Sequence, residues 1–489
     1  MAPATRKPLT LGEALAPVVT MVVLFAAGSL FVELSTELLI LVLLGAAAVA
    51  GFVAMRHGAS WDDIQRSTGR KLADVLPVVL ILLAIGILIA AWILSGTIPY
   101  LVHAGVRLIS PQYLALTAFL ATSTMSLFTG TSWGSAGTIG VALMGTAVAL
   151  GAPLPLAAGA VVSGAYLGDK LSPLSDSTNI CAIAAGAPLY SHIRHMLHTA
   201  VPSFLLCIVV YAVAGLMAGT AGDTPDSARR ILADIETVFV LNPLALVPPA
   251  IVVWSIVRKT PPALAITLSA LVAVVLGVAV QGFALQDALV ATVAGFRIDM
   301  VARTGVDTTA LGPAFVTLVQ RGGLYSMANT LIVIIAAFLL AGAMDASGAL
   351  DLIVSRMLAA ARSVFGLIAA TMAAGATMIA LTSHGGVTAL VIGGLFQKAY
   401  ADRGLAPQNL SRSLEDSVTI TEPLMPWTVS AVYMATTLGV PTIAYAPWAV
   451  FCYGGPVFSL LIAATYARTG YGVRRLQGPA HAPGSALTV

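Results

Sequence analysis

Charge is what this sequence has least of. Of its 489 residues only 9% are Asp, Glu, Lys or Arg, whereas 58% are hydrophobic. Ordinary soluble domains carry about 25% charged residues, so a chain this poor in charge cannot cover a water-facing surface. The solvent it implies is lipid. Cysteine is nearly as scarce. Cys181, Cys207 and Cys452 all lie in apolar runs, with no metal-ligand spacing and no disulfide framework. The formal net charge of +3 is too small to argue for a nucleic-acid partner.

What the chain does contain is long apolar runs. Segments of spanning length, roughly 17–25 residues, fall at about 17–34, 37–55, 74–94, 113–128, 136–168 and 193–218. A second set falls at about 240–257, 263–283, 325–344, 364–382, 386–400 and 424–467. Arg6-Lys7 before the first run has the look of a secretory signal. The next run follows at once, so the first is read as a retained membrane helix. Between the two sets lies a polar stretch with Asp223, Asp226, Arg229, Arg230 and Asp234. The expected organisation is a cytoplasmic N-terminus over 1–16, a first half over 17–218, a linker over 219–239, a second half over 240–467 and a cytoplasmic tail over 468–489.

Basic residues concentrate on the cytoplasmic side of membrane proteins. Arg56, Arg66, Arg70, Lys71, Arg194, Arg258, Lys259, Arg356, Arg362, Arg474 and Arg475 are therefore placed inside and the linker outside. The halves then begin on opposite sides, as an inverted repeat requires. Two short matches support a repeat: "LSDSTN" from Leu174 with "LEDSVT" from Leu414, an offset of 414 − 174 = 240, and "TSWGSAG" from Thr131 with "TSHGGVT" from Thr382. The fold expected is an all-α polytopic membrane protein of two inverted repeats. Each holds about five or six membrane helices, some broken or re-entrant.

Charge enters the membrane in two islands. Leu108–Gly168 contains no Asp, Glu, Lys, Arg or His, and then comes "GDKLSPLSDSTN" with Asp169, Lys170 and Asp176. Pro423–Ala467 is likewise uncharged, and just before it stands "SLEDSVTITEP" with Glu415, Asp416 and Glu422. A carboxylate at the centre of a membrane helix costs about 2.5–3.5 kcal/mol even on the mild insertion scale, and such residues mark ion or substrate paths. Ser172-Pro173, Pro188 and Pro423 break helices and free carbonyls. With the surrounding hydroxyls these are hard oxygen ligands for a small cation. Asp169 and Lys170 also read as a solvated pair at a helix end. Asp176 and Asp416, at the matching position of the 240-residue offset, are the expected exchange carboxylates. Ser132, Thr131, Ser172, Ser177, Asn179 and Thr419 are candidate neutral ligands, although each equally suits capping a helix end. Glu415 is a further acid beside the site, and Lys170 is placed to neutralise Asp169 or hold an unloaded site. His192 and His195 are expected at the cytoplasmic face.

Gly130-Thr131-Ser132-Trp133-Gly134 fits the G-x-S-x-G nucleophile elbow of serine hydrolases, with Asp176 and His192 downstream in the order such enzymes use. That motif needs a preceding strand, and here it sits in an apolar helical stretch. Glycines at 130, 134, 137 and 140 suit close helix packing. A polar lining is the preferred reading, and an intramembrane hydrolase the remote one.

At "TGTSWGSAGTIGVALMG", "SGAYLGDKLSPLSDSTN" and "IRHM", with "LEDSVTITEPLMPW" and "YMATTLGV" in the second half, the chain closely resembles the NhaC family of bacterial sodium/proton antiporters. The resemblance implies Na+/H+ exchange across the bacterial cytoplasmic membrane and a homodimer. It implies no resident cofactor, since Na+ and H+ are the cargo and the lipid bilayer the partner. His384, Glu422 and Thr428 depart from the family pattern, and His384 and Glu422 are candidate supporting or proton-relay groups. Some members resemble sodium-coupled exchangers of malate and lactate, which is the alternative function.

Overall fold

The computed structural model describes residues 8–31, 35–217 and 226–476. Arg6-Lys7, the first part of the expected linker with Asp223, and the tail beyond 476 lie outside the described residues. Within them the chain is all-helical, and the sole bridge is an isolated pair, Leu405 with Arg475. Eight helices are long and apolar enough to cross a membrane, or ten if each of two sharply bent pairs is one span. The chain is thus a multi-pass membrane protein.

Local sequence sets where these helices start and stop. Trp61–Leu94 begins well before the expected apolar run because Ser60 and Asp63 form a reciprocal capping box. At 34 residues and 1.5 Å per residue it measures about 50 Å, more than the roughly 30 Å hydrocarbon layer. Its polar first turns therefore project beyond the lipid. Its other end is packed inside the protein, where Trp92 is buried and its indole donates to Ser269 at 3.0 Å. Leu30, Phe31 and Met217, on helices Leu11–Phe31 and Leu189–Met217, are more than four-fifths exposed. In a membrane protein that surface faces lipid.

Three expected segments take a different form. The run 136–168 divides at Gly151, whose φ of 64° turns the chain into Leu154–Leu171. The run 424–467 becomes Val429–Leu438, bent by 88° onto the helical stretch Thr442–Trp448, followed by Val450–Thr469. The described part of the expected linker is itself a helix, Asp226–Val238, which buries Ala228, Ile231, Ile235 and Asp234 and exposes Asp226, Arg229, Arg230 and Glu236.

A regular internal recurrence runs through the fold, at a spacing other than the one the acidic motifs suggest. Asp176–Ala185 and Val429–Leu438 are both ten residues long, and 429 − 176 = 253. Ser175 and Thr428 cap their N-termini through the side chain, and Gly186 and Gly439 end them with φ of 69° and 73°. The same offset relates Gly151 to Gly404 (φ 64° and 66°) and Gly130 to Ser383 (φ 68° and 58°). It also relates the hydroxyl pair Thr129–Ser135 (3.2 Å) to Thr382–Thr388 (2.5 Å). Thr131 therefore corresponds to His384, both extended caps with φ near −140°, rather than to Thr382. "LSDSTN" and "LEDSVT" fall on different elements: the first straddles a break, the second joins the end of Pro407–Leu414 to a π-helical segment.

Candidate ion-binding site

The site begins where helices stop. Leu114–Thr129 ends at Gly130 in the left-handed region, and Thr131 caps the next turn by accepting from the Gly134 amide at 3.2 Å. A side chain at position 130 would collide with the Leu174 backbone, so this glycine brings two breaks together. The second break follows Leu154–Leu171. Here Ser172 accepts from the Leu174 amide at 3.3 Å, and Ser175 caps Asp176–Ala185. The Ser132 hydroxyl donates to Asp169 at 3.0 Å across the gap between the breaks. Ser132 thus faces a carboxylate in a helical setting. The strand that a nucleophile elbow requires is absent among the described residues.

Lys170 and Asp416 form an ion pair with both side chains wholly buried. This corrects the expectation of a solvated Asp169–Lys170 couple: both residues are buried, and Lys170 is held by an acid 246 residues away. Thr199 bridges the pair, accepting from Lys170 and lying 3.3 Å from Asp416. The ammonium also stands 5.8 Å from the centre of the Phe451 ring, a distance at which a cation gains from the aromatic face. Asp416 lies in the π-helical segment Glu415–Thr419. Its neighbour Glu415 accepts from Thr419 at 2.7 Å and from Ser177 at 3.3 Å. The second oxygens of Asp416 and Glu415 are buried without partners.

Arg412, one turn before Asp416, is fully buried as well. One of its nitrogens donates to the Gly472 carbonyl while two others have no partner. Buried acids Asp169, Glu415, Asp416 and Glu422 stand against buried bases Lys170 and Arg412. With every group ionised the sum is 2 − 4 = −2. Burying unpaired charge costs several kcal/mol, so this cluster is built to hold protons or small cations. No group of three or more His, Cys, Asp or Glu side chains is arranged to hold a resident metal, among the described residues.

The other expected residues divide between this cluster and the breaks. Asp176 is exposed in the first turn of its helix and is not brought against Asp416. Asn179 donates to the carbonyls of Pro173 and Ser175, closing the break from outside. His384 sits in the second-half break with Nδ1 unpartnered. Glu422 is buried beside Gly385 and Ser430. His192 and His195 are buried in Leu189–Met217, and His195 lines a cavity with Arg194, His198 and Arg474. Sequence reasoning missed Thr199 and Arg412. Thr199 stands four residues after His195 in Leu189–Met217, the spacing that puts both on one helix face. Arg412 looks like flanking charge until the helix Pro407–Leu414 is seen to be interior. A cavity of about 500 Å³ opens between Glu37, Asn329, Thr330 and Thr436 and reaches Pro426, inside the break after Glu422.

Breaks, buried hydroxyls and an excess of interior carboxylates define a secondary transporter of small cations. The profile of the Na+/H+ antiporter family matches residues 164–465, which takes in every group of the cluster except Ser132, and the chain belongs to that family. It is 42% identical over 97% of its length to an uncharacterized Na+/H+ antiporter of Haemophilus influenzae, covering 98% of that protein. It is 34% identical to the Na+/H+ antiporter NhaC of Alkalihalophilus pseudofirmus, over 87% of this chain and 88% of the other. It is also 32% identical to a malate-2H+/Na+-lactate antiporter of Bacillus subtilis, over 82% and 84% of the two chains.

Proposed function

We propose that this protein exchanges Na+ for protons across the bacterial cytoplasmic membrane, with both termini cytoplasmic, as a homodimer of chains built from two inverted repeats. The observation that carries the exchange is the buried Lys170–Asp416 pair beside carboxylate oxygens that have no partner. A cation entering the cluster competes with the Lys170 ammonium for Asp416 and finds Glu415 alongside. Hydroxyls of Ser132, Ser177 and Thr419 complete a set of hard oxygen ligands. A bound cation favours the ionised carboxylates, whereas burial favours the protonated ones. Loading with Na+ therefore releases protons, and protonation releases Na+. Asp176, exposed near Asp169, serves as the entrance carboxylate of the same path. Thr131, Ser172 and Asn179 fix the geometry of the breaks through backbone contacts.

Dissipation of a pH gradient in proteoliposomes, screened with Na+, Li+, K+, malate and lactate, tests this. Na+ alone should collapse the gradient. A response to malate or lactate with none to Na+ would instead favour carboxylate exchange. That second reading rests on the two unpartnered nitrogens of Arg412 and on the similarity to a malate/lactate antiporter.

A further inference from the structure

The 253-residue recurrence places Glu422 at the position that Asp169 holds in the first half, since 422 − 169 = 253. The partners correspond as well. Asp169 accepts from Ser132, and 132 + 253 = 385. Glu422 faces the backbone amide of Gly385, and a Cβ built on that glycine would lie 2.8 Å from the Glu422 carboxylate. Each carboxylate thus faces the break of its own half, Asp169 from the last turn of Leu154–Leu171 and Glu422 from the start of the 3-10 turn Glu422–Leu424. Glu422 also faces the hydroxyl and amide of Ser430.

The cationic partner is where the halves differ. Lys170 corresponds to Pro423 and Asp416 to Ser163, so the ion pair that joins the two halves has no counterpart at the related positions. Among the described residues no ion pair reaches Glu422, although its residue is only 8% exposed. The buried Tyr166 hydroxyl stands beside Ser430 and within range of the charges of both Asp169 and Glu422. Asp169 and Glu422 are themselves within range of one another. A buried carboxylate with no cationic side chain beside it must hold a proton or a mobile cation. The open cavity at Pro426 supplies an approach from the side of this break.

We infer that Glu422, with Ser430, the Gly385 amide and Tyr166, forms a second site for a small monovalent cation, exchanged there for a proton and related to Asp169 by the internal repeat. The inference rests on the Na+/H+ reading above. The site faces Asp169 and Tyr166, His384 is the chain neighbour of Gly385, and among the described residues no ion pair reaches Glu422.

The test uses the full chain in liposomes and a hydrophobic carbodiimide, which modifies protonated buried carboxyls, with labelling located by peptide mass. Na+ should cut labelling of Glu422 at least about fivefold, and choline should not. This protection should persist in Asp416→Asn. In parallel, the Na+ dependence of proton flux should be sigmoidal in the parent protein, hyperbolic in Glu422→Gln and sigmoidal again in Glu422→Asp. Absence of Glu422 labelling, or labelling indifferent to Na+, overturns the inference, as does an unchanged Na+ dependence in Glu422→Gln. Protection of Asp416 without protection of Glu422 defeats the second site alone. Protection of neither, with no Na+-driven flux, defeats the exchange reading itself.

Discussion

Cutting one member of the Lys170–Asp416 pair should do far more harm than removing both. Each side chain is 0% exposed, so Lys170→Met leaves Asp416 charged in the interior with Thr199 as its remaining hydrogen-bond donor. Breaking a buried pair in this way costs about 3–5 kcal/mol, whereas replacing both members with apolar groups is about neutral or mildly stabilising. At about 1.4 kcal/mol per tenfold, either single variant loses roughly two to three orders of magnitude in its folding equilibrium. Lys170→Met/Asp416→Leu should recover most of it. Denaturation midpoints of the four purified proteins in one detergent close the cycle. Sodium gives the cycle a functional arm. In Lys170→Met a cation can take the vacated place, and at a hundred times its Kd a ligand stabilises by about 2.7 kcal/mol. Na+ should therefore rescue Lys170→Met strongly and the double variant hardly at all. Additive losses in the double variant, or Na+ rescue that ignores Asp416, would refute the argument.

Three further outcomes follow from the same geometry. Ser132→Ala removes the donor to Asp169, a loss of about 1–3 kcal/mol at a buried acceptor. Apparent Na+ affinity should fall while turnover at saturating Na+ persists, and fluorophosphonate labelling of Ser132 with complete loss of function would reverse that reading. Gly130→Ala forces a side chain into φ 68° and onto the Leu174 backbone, so it should destabilise the protein and weaken exchange. The mirror change, Ser383→Gly at φ 58°, should stabilise by up to about 1 kcal/mol, both read from melting curves. Protons and Na+ compete for the same oxygens, so apparent Na+ affinity should strengthen as pH rises and level off once the cluster is ionised. An affinity independent of pH would count against competition.

Much of this was legible before any fold was drawn. Scarcity of charge and the length of the apolar runs dictate a helical membrane protein, and two acidic islands between uncharged stretches point to the buried acids. The pairing inside the path was not legible. Asp169 and Lys170 are adjacent in sequence, yet the helix Leu154–Leu171 turns them toward different partners, Ser132 and Asp416. Neither contact leaves a local trace. The spacing of the structural recurrence was not legible for a related reason. Its conserved content is backbone conformation, which Gly130 and Ser383 adopt alike, as do Ser175 and Thr428 as caps. The acidic letters that suggested an offset of 240 lie on unlike elements. Asp176 accordingly stands exposed while Asp416 is buried.

The most direct test of the account is Na+-driven proton flux in proteoliposomes reconstituted with Asp416→Asn, a change that keeps the side chain's shape and removes its charge. The variant should still insert, with stability reduced by the broken ion pair, and coupled flux should be abolished at every pH between about 6 and 9. Flux at the parent rate, with the parent's dependence on Na+ and pH, would contradict the assignment of exchange to the Lys170–Asp416 cluster.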